Sequence, residues 1–114
     1  MLYTDVFIDP EPDQVAIETI RRVLASDVPV QDDDRLWFRP TAVTLGENVF
    51  GEYDDPDSGE IPVSGYASVV VIPSRDDAWR LGVALQIFQA LQQIGRYRLL
   101  VVDEWVLKLA EYDP

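Results

Sequence analysis

The residues of this chain best suited to chemistry are carboxylates, and many of them fall in two short acidic segments. Clustered carboxylate oxygens suit two tasks, the binding of a hard cation such as Ca²⁺ and contact with a basic surface of another protein. Both tasks depend on close spacing of the side chains. The acidic residues of the two segments are Asp32, Asp33, Asp34, Asp54, Asp55, Asp57 and Glu60.

The second acidic segment does not follow the order of a calcium-binding loop. Asp55 and Asp57 are followed by Gly59, at a place where an EF-hand loop supplies another oxygen ligand. Pro56 and Gly59 are instead typical of a turn. We therefore expect no metal site and no cofactor, and we interpret both segments as contact surfaces for a basic partner protein.

Three aromatic residues are candidates for the centre of such a surface. Trp37 follows the first acidic segment, and Tyr53 directly precedes the second, together with the acidic Glu52. Trp79 lies on an apolar flank of a predicted helix. Buried aromatic side chains supply much of the binding energy at protein interfaces. Such aromatic residues lie more often in a core than at an interface, and for Trp37 a core position facing a helix is at least as good an interpretation.

The composition disfavours several classes of function. The chain has 21 acidic and 9 basic residues and a formal net charge of -12, which argues against nucleic acids and anionic membranes as partners. It has no histidine and no cysteine, so the usual general base, thiolate chemistry and zinc–thiolate sites are absent. No glycine spacing matches a phosphate-binding loop, and no two carboxylates stand out as an acid/base pair. We expect a protein without catalytic residues.

The first half of the chain predicts a strand, a helix and a β-rich region. Residues 2–9 alternate between two faces, as a strand does. Pro12 and its acidic neighbours suit a helix start, and apolar residues at a spacing of three to four extend the helix to about Ser26. Residues 27–34 predict a loop, and Gly46-Glu47-Asn48 predicts a tight turn. The β-rich segments 36–39 and 41–45 are separated by Pro40 and predict either one bent strand or a hairpin, and a further strand is predicted at 49–53.

The second half predicts a strand, a long helix and an extended C-terminal region. Successive β-branched residues make 66–72 the clearest strand of the chain. Ser74 suits the N-cap of a helix that stops before Gly95, a residue that favours the left-handed conformation. Residues 96–112 predict extended structure with a break near Asp103, and a short helix from Asp103 onward is the alternative.

The long second helix is apolar over more of its circumference than one sheet face requires. Coverage by the first helix and by loops is the preferred explanation of this excess, and an interface with another molecule is the alternative. A homodimer through the second helix therefore stays open. The apolar residues of the suspected flank are Trp79, Val83, Ile87, Ala90 and Ile94.

These elements follow the order β-α-β-(β)-β-α-β and predict a single α+β domain over residues 1–114. The simplest architecture is a mainly antiparallel sheet with two helices on one face, in a ferredoxin-like split β-α-β sandwich. No apolar run approaches a membrane span, and the first residues do not form a signal segment, so we expect a cytoplasmic protein.

In composition the chain is similar to small immunity proteins and antitoxin-like inhibitors, which are short, acidic and free of catalytic motifs. That resemblance implies a protein that occludes a basic toxin or effector, and it assigns no particular residues. Two other classes stay open. One is a dimeric ferredoxin-like domain that binds a small ligand or acts as a small enzyme, and the other is a structural subunit of a larger assembly.

Changing Asp32, Asp33 and Asp34 together to Asn tests the first acidic segment. The loss of negative charge should slow association with a basic partner and flatten its salt dependence, because electrostatic steering acts mainly on the association rate. Stopped-flow kinetics at several salt concentrations measure both effects. Unchanged association kinetics would remove this segment from the proposed interface.

Overall fold

The computed structural model describes residues 2–24, 30–32, 35–37, 43–48, 63, 65–73, 76–104 and 107–114. Within these ranges the chain forms helices and an antiparallel sheet, so the predicted α+β class is confirmed. In chain order the elements are β1 (Tyr3–Asp9), α1 (Gln14–Val23), β2 (Val30–Asp32), β3 (Arg35–Trp37), β4 (Thr44–Glu47), β5 (Ser68–Pro73), α2 (Asp77–Ile94), β6 (Arg98–Asp103) and β7 (Leu107–Tyr112).

Five of these strands form one antiparallel sheet in the order β4-β5-β1-β6-β7. β1 is the central strand, and its residues 4–8 are all buried. Its neighbours β5 and β6 are both antiparallel to it, so they run parallel to each other, and α2 connects them across β1. β2 and β3 pair in a separate two-stranded sheet. The antiparallel sheet is as predicted, whereas the ferredoxin-like detail is not confirmed.

Both helices pack on the same face of the sheet, as predicted. Val6 and Ile8 of β1 point to this face, because alternate residues of a strand share a side. They form one buried cluster with Ile20 of α1 and Ile87 of α2. Fully burying a side chain of this size stabilises a fold by about 1.5–3 kcal/mol. The helices therefore cover the main core of the described chain.

The opposite face of the sheet is also covered at its centre. Phe7, Leu100 and Val102 are buried there together with Val63, which lies outside the strands. The ring of Tyr66 lies 6.0 Å from the ring of Phe7 and is tilted against it, a usual arrangement for aromatic pairs. Burial on both faces explains why β5 and β6 are continuous apolar runs rather than alternating sequences.

Carboxylates begin both helices. Asp13 accepts a hydrogen bond from the Ala16 N–H at 3.0 Å and caps α1. Asp76 accepts one from the Trp79 N–H at 3.1 Å and caps α2. The prediction of Ser74 as the cap of α2 is therefore wrong, since a carboxylate both pairs the free N–H groups and complements the positive end of the helix dipole. Neither α1 nor α2 is long and apolar enough to cross a membrane.

Two predicted boundaries in the first half differ from the structure. α1 ends at Val23, short of the predicted end near Ser26, because Leu24 has left the helical conformation. The predicted loop 27–34 contains β2, because residues 30–32 pair with β3. Strand pairing is a tertiary contact, so the local composition of this segment did not indicate it.

The predicted turn at Gly46-Glu47-Asn48 is also wrong in part. Gly46 and Glu47 continue β4, because both pair with residues of β5. Asn48 ends the strand, and its side-chain amide donates to the Val63 carbonyl at 2.8 Å. The predicted strands 36–39 and 41–45 overlap β3 and β4, while 49–53 lies outside the described residues.

The C-terminal region is extended with a break after Asp103, as predicted. Glu104 has a positive φ of 51°, and its N–H donates to the Tyr3 carbonyl at 2.9 Å. β7 then pairs with β6, so the alternative of a terminal helix is wrong. Leu109 is an extra residue in β7 and forms a β-bulge in this ladder.

Two glycines of the α2 region give opposite predictions for stability. Gly95 has a φ of 85°, where an L side chain is strained, so Gly95→Ala should lower the free energy of unfolding by about 1 kcal/mol. Gly82 lies inside α2, and a Cβ there would meet no described atom within 4 Å. Gly82→Ala should therefore raise the free energy of unfolding by about 0.5–1 kcal/mol. Urea unfolding measures both, and effects of the same sign would contradict the assigned end of α2.

Candidate protein-binding surface

Most of the predicted partner-binding residues lie outside the described part of the chain. The exceptions are Asp32, Trp37 and Trp79. For the others the interpretation stays a prediction. They are Asp33, Asp34, Glu52, Tyr53, Asp54, Asp55, Asp57 and Glu60.

The structure brings Asp32 and Trp37 onto one two-stranded sheet. Asp32 of β2 lies opposite Arg35 of β3. Trp37 of β3 lies opposite Val30 of β2. β3 also contacts β4, which is one edge of the main sheet. Trp37 therefore belongs to a strand beside the β4 edge, and Asp32 belongs to the strand paired with it.

Trp79 is partly buried against the core on the helix face of the sheet. Val83 and Ile87, which share its flank of α2, are buried in the same core. Contacts within the chain thus account for much of the apolar excess on α2. The part of Trp79 that remains accessible leaves it a candidate contact residue.

The cationic side chains that the structure describes are nearly all paired with carboxylates of the same chain. Exposed pairs of this kind contribute only about 0–1 kcal/mol each to stability, but they reduce the positive charge that a partner meets. Among the cations whose side chains the structure describes, Arg22 alone lies outside these pairs. The pairs are Arg21–Glu18, Arg80–Asp77, Arg80–Asp103, Arg96–Asp13, Arg98–Asp9 and Lys108–Glu111.

Several exposed carboxylates, by contrast, have no cation within ion-pair distance in the described part of the chain. They lie at the start of α1, at the end of β4, after β6 and after β7. Their charge is consistent with the net charge of -12. A surface of this kind attracts a cationic partner and raises its association rate most at low salt. The residues are Glu11, Glu47, Glu104 and Asp113.

One part of the surface combines an aromatic ring with three carboxylates, of which Asp9 and Glu111 are in ion pairs, and we name it the Tyr66 cluster. It consists of Tyr66, Arg98, Asp9, Glu111 and Asp113. The Arg98 guanidinium carbon lies 4.4 Å from the centre of the Tyr66 ring, within the range of a cation–π contact. An Arg98 nitrogen also lies 3.7 Å from an Asp9 carboxylate oxygen. The charges of Asp9, Glu111 and Asp113 all act on the Tyr66 hydroxyl.

The sheet positions the charged members of the Tyr66 cluster. Asp9 ends β1 and lies opposite Arg98, the first residue of β6. Glu111 of β7 lies opposite Leu100 of β6, a residue of the sheet face that points away from the helices. These side chains therefore belong to that face, where Tyr66 packs near Phe7.

The Tyr66 hydroxyl is held in its neutral form. Burial is the main cause that raises its pKa above the usual 10.0, and Arg98 opposes this effect. The carboxylates of Glu111, Asp113 and Asp9 raise the pKa further, because they disfavour a phenolate. The Tyr66 cluster can therefore offer a partner both carboxylate acceptors and a hydroxyl donor.

A buried polar network around Arg80 fixes α2 to the sheet. The Arg80 side chain is buried, and its Nε donates to Thr4 Oγ1 of β1 at 2.9 Å. Its Nη2 lies 3.3 Å from Asp103 Oδ1 of β6, and Thr4 Oγ1 donates to the same oxygen at 2.7 Å. Burial alone would lower the pKa of Arg80, but its hydrogen bonds and ion pairs with Asp77 and Asp103 outweigh burial and raise it. Arg80 therefore remains charged.

Asp5 is a buried carboxyl group of β1 on the sheet face that points away from the helices. It lies on β1 between Val71 of β5 and Val102 of β6, and it is 0% exposed. Neither of its carboxylate oxygens has a hydrogen-bond partner among the described residues. Burial, with the charge of Asp103 as a second cause, raises the pKa of Asp5 to about 7. Buried carboxyl groups with raised pKa values occur more often at functional sites than elsewhere in proteins.

The sequence patterns did not predict the buried Arg80 network, the buried Asp5 or the Tyr66 cluster. Arg80 precedes Ala84 and Ile87 at the i, i+4, i+7 spacing of the buried stripe of α2, so this spacing could have identified it as buried. The burial of Asp5 depends on what covers the second face of the sheet. No local pattern joins Tyr66 to the residues around it, because they come together only when β1, β6 and β7 pair.

The described carboxylates do not form a metal centre. No group of three or more of them converges at a distance suitable for a metal ion within the described ranges. The chemistry that these residues support is electrostatic contact and hydrogen bonding with another molecule.

Substitution of Arg80 tests the buried network. Arg80→Met should lower the free energy of unfolding by about 3–5 kcal/mol, because it leaves the Asp103 carboxylate buried without its cation. Adding Asp103→Asn should recover part of that loss, since the remaining group is neutral. Chemical denaturation of the wild type, both single variants and the double variant measures the coupling. Strict additivity of the two single-variant effects would contradict a direct interaction between Arg80 and Asp103. Asp77→Asn, at the exposed ion-pair partner of Arg80, serves as the control.

Substitution of Asp5 tests its raised pKa. In the unfolded chain Asp5 ionises near pH 4, but in the folded protein only near pH 7, so ionisation opposes folding as the pH rises between these values. The wild type should lose up to about 4 kcal/mol relative to Asp5→Asn between pH 4 and pH 8. Urea unfolding of both proteins over this pH range measures the difference. A difference that does not change with pH would contradict the raised pKa.

Comparisons with protein-family models, curated proteins and solved structures each found no match.

Proposed function

We propose that this protein is an acidic protein-binding module that acts as an immunity- or antitoxin-type inhibitor in the cytoplasm. It would occlude the functional surface of a basic effector protein. One observation supports this above all: the cationic side chains that the structure describes are nearly all paired with carboxylates, while exposed carboxylates such as Glu104 and Asp113 have no cation within ion-pair distance among the described residues. The excess negative charge is thus available to a partner.

Inhibition by this mechanism needs no catalytic group. The surface charge of the module speeds the encounter with a basic cleft, and salt weakens this steering. Desolvated aromatic contacts then slow dissociation. The Tyr66 cluster supplies both kinds of contact, and the predicted surface with Asp32 and Trp37 would add a second acidic and aromatic contact beside β4.

The homodimer alternative has less support. The apolar flank of α2 was the reason to expect a second copy of the chain, and Val83 and Ile87 of that flank are buried inside the monomer. Two chains of equal negative charge also repel each other. A basic partner protein complements the negative charge of the module, whereas a second copy does not.

Capture from a lysate of the source cells tests the proposal. The tagged protein should retain one basic protein in equal amount at low salt and release it as salt rises, because charge steering is screened. The purified partner should then lose its activity in proportion to added module. A partner that keeps full activity when saturated with the module would contradict the inhibitor function. A homodimer that captures no other protein would contradict the binding of a basic partner.

Charge variants locate the surface. Glu111→Gln with Asp113→Asn should slow association with the captured partner by about two- to tenfold at low salt. Glu11→Gln with Glu18→Gln is the matched control, because it removes the same charge from α1 and the segment before it. Surface plasmon resonance measures both pairs. Equal slowing by the two pairs would show that net charge alone matters and would contradict a role for the Tyr66 cluster.

A further inference from the structure

β7 is an open edge of the sheet. It is the last strand in the order β4-β5-β1-β6-β7, and within the described part of the chain its only backbone hydrogen bonds are those with β6. The opposite edge strand, β4, is shorter and is contacted by β3. Among the described residues, none pairs with the outward N–H and C=O groups of β7.

An open edge strand has a specific binding chemistry. Its unpaired N–H and C=O groups form a row that an extended peptide can join as a further strand. β7 has six residues and, at about 3.3 Å per residue, offers an edge about 20 Å long. Backbone hydrogen bonds would supply affinity, and the neighbouring side chains would supply selectivity.

The side chains along β7 favour a basic strand. Glu111 and Asp113 are exposed at its C-terminal end, and Glu104 is exposed just before it. The nearby cation Lys108 lies 3.3 Å from a Glu111 carboxylate oxygen. Cross-strand pairs of opposite charge stabilise a sheet, and like charges destabilise it. An incoming strand with Lys or Arg side chains therefore complements this edge.

A second copy of the chain fits the edge less well. Each copy would bring a formal charge of -12 to the contact, and like charges repel. This repulsion favours a partner of opposite charge.

We propose that the free edge of β7 accepts an extended, lysine- or arginine-bearing segment of the partner protein as a sixth strand of the sheet. This inference rests on the proposed function for the existence of a basic partner. It adds the mode of contact, which is backbone pairing along β7, with Glu111 and Asp113 selecting the charge of the incoming segment.

A basic peptide tests the edge without the natural partner. The probe is acetyl-Thr-Lys-Val-Lys-Val-Lys-Thr-amide, and the matched control has Glu in place of each Lys. Titration of the ¹⁵N-labelled full chain at low salt should shift the amide signals of residues 107–112 and slow the hydrogen exchange of alternate amides in β7. Only the lysine peptide should do so. Shifts confined to β4 or to the helices, or an equal response to both peptides, would overturn the inference.

Charge reversal adds a second, independent readout. Glu111→Lys with Asp113→Lys should weaken binding of the lysine peptide by on the order of fivefold or more, while Glu18→Lys with Glu47→Lys should leave the β7 response in place. Amide spectra of the free variants show whether each one is folded. Equal weakening by both pairs would overturn the role of β7.

The captured partner separates this inference from the proposed function. A complex that inhibits the partner but leaves the β7 amides unprotected would overturn the edge-binding inference and leave the proposed function standing. A lysine peptide that pairs with β7, in a protein that captures no basic partner, would support the edge site and contradict the proposed function.

Discussion

The arrangement of the domain depends on one buried interaction, the contact of Arg80 with Thr4 and Asp103. It joins α2 to the central strand β1 and to β6, the strand that follows α2. A buried guanidinium is costly to desolvate, and the cost is offset only where its partners are held in place. Here the sheet holds them, because Thr4 and Asp103 lie opposite each other in the β1–β6 ladder. The network therefore specifies how α2 crosses the sheet, while the apolar core supplies most of the stability.

The same strand pairing buries a second carboxyl group, that of Asp5. Asp103 lies on the helix face with its cation, whereas Asp5 lies on the opposite face without a partner among the described residues. Arg80 thus pairs with Asp103. Burial raises the pKa of Asp5, and the charge of Asp103 raises it further. The centre of the sheet tolerates this because Asp5 can be protonated near neutral pH.

The exposed surface follows a different rule. Most of the cationic side chains that the structure describes are paired within the chain, as Arg98 is with Asp9 and Lys108 is with Glu111. Pairs of this kind add little to stability, but they leave the unpaired surface charge strongly negative. The Tyr66 cluster and the β7 edge lie on this surface, close together through Glu111. Electrostatic attraction and backbone pairing can therefore act on the same partner.

The sequence by itself determined the class of fold, both helices, the central strand and the absence of histidine and cysteine chemistry. These follow from the spacing of apolar residues and from composition, which are local properties. It did not determine β2, the extension of β4 through Gly46, or the choice of Asp76 over Ser74 as a cap. Tertiary structure decided these, because strand pairing and capping geometry depend on residues distant in the chain or on the conformation adopted. It also decided the Tyr66 cluster and the state of Asp5, since burial and neighbouring charge exist only once β1, β5, β6 and β7 have paired.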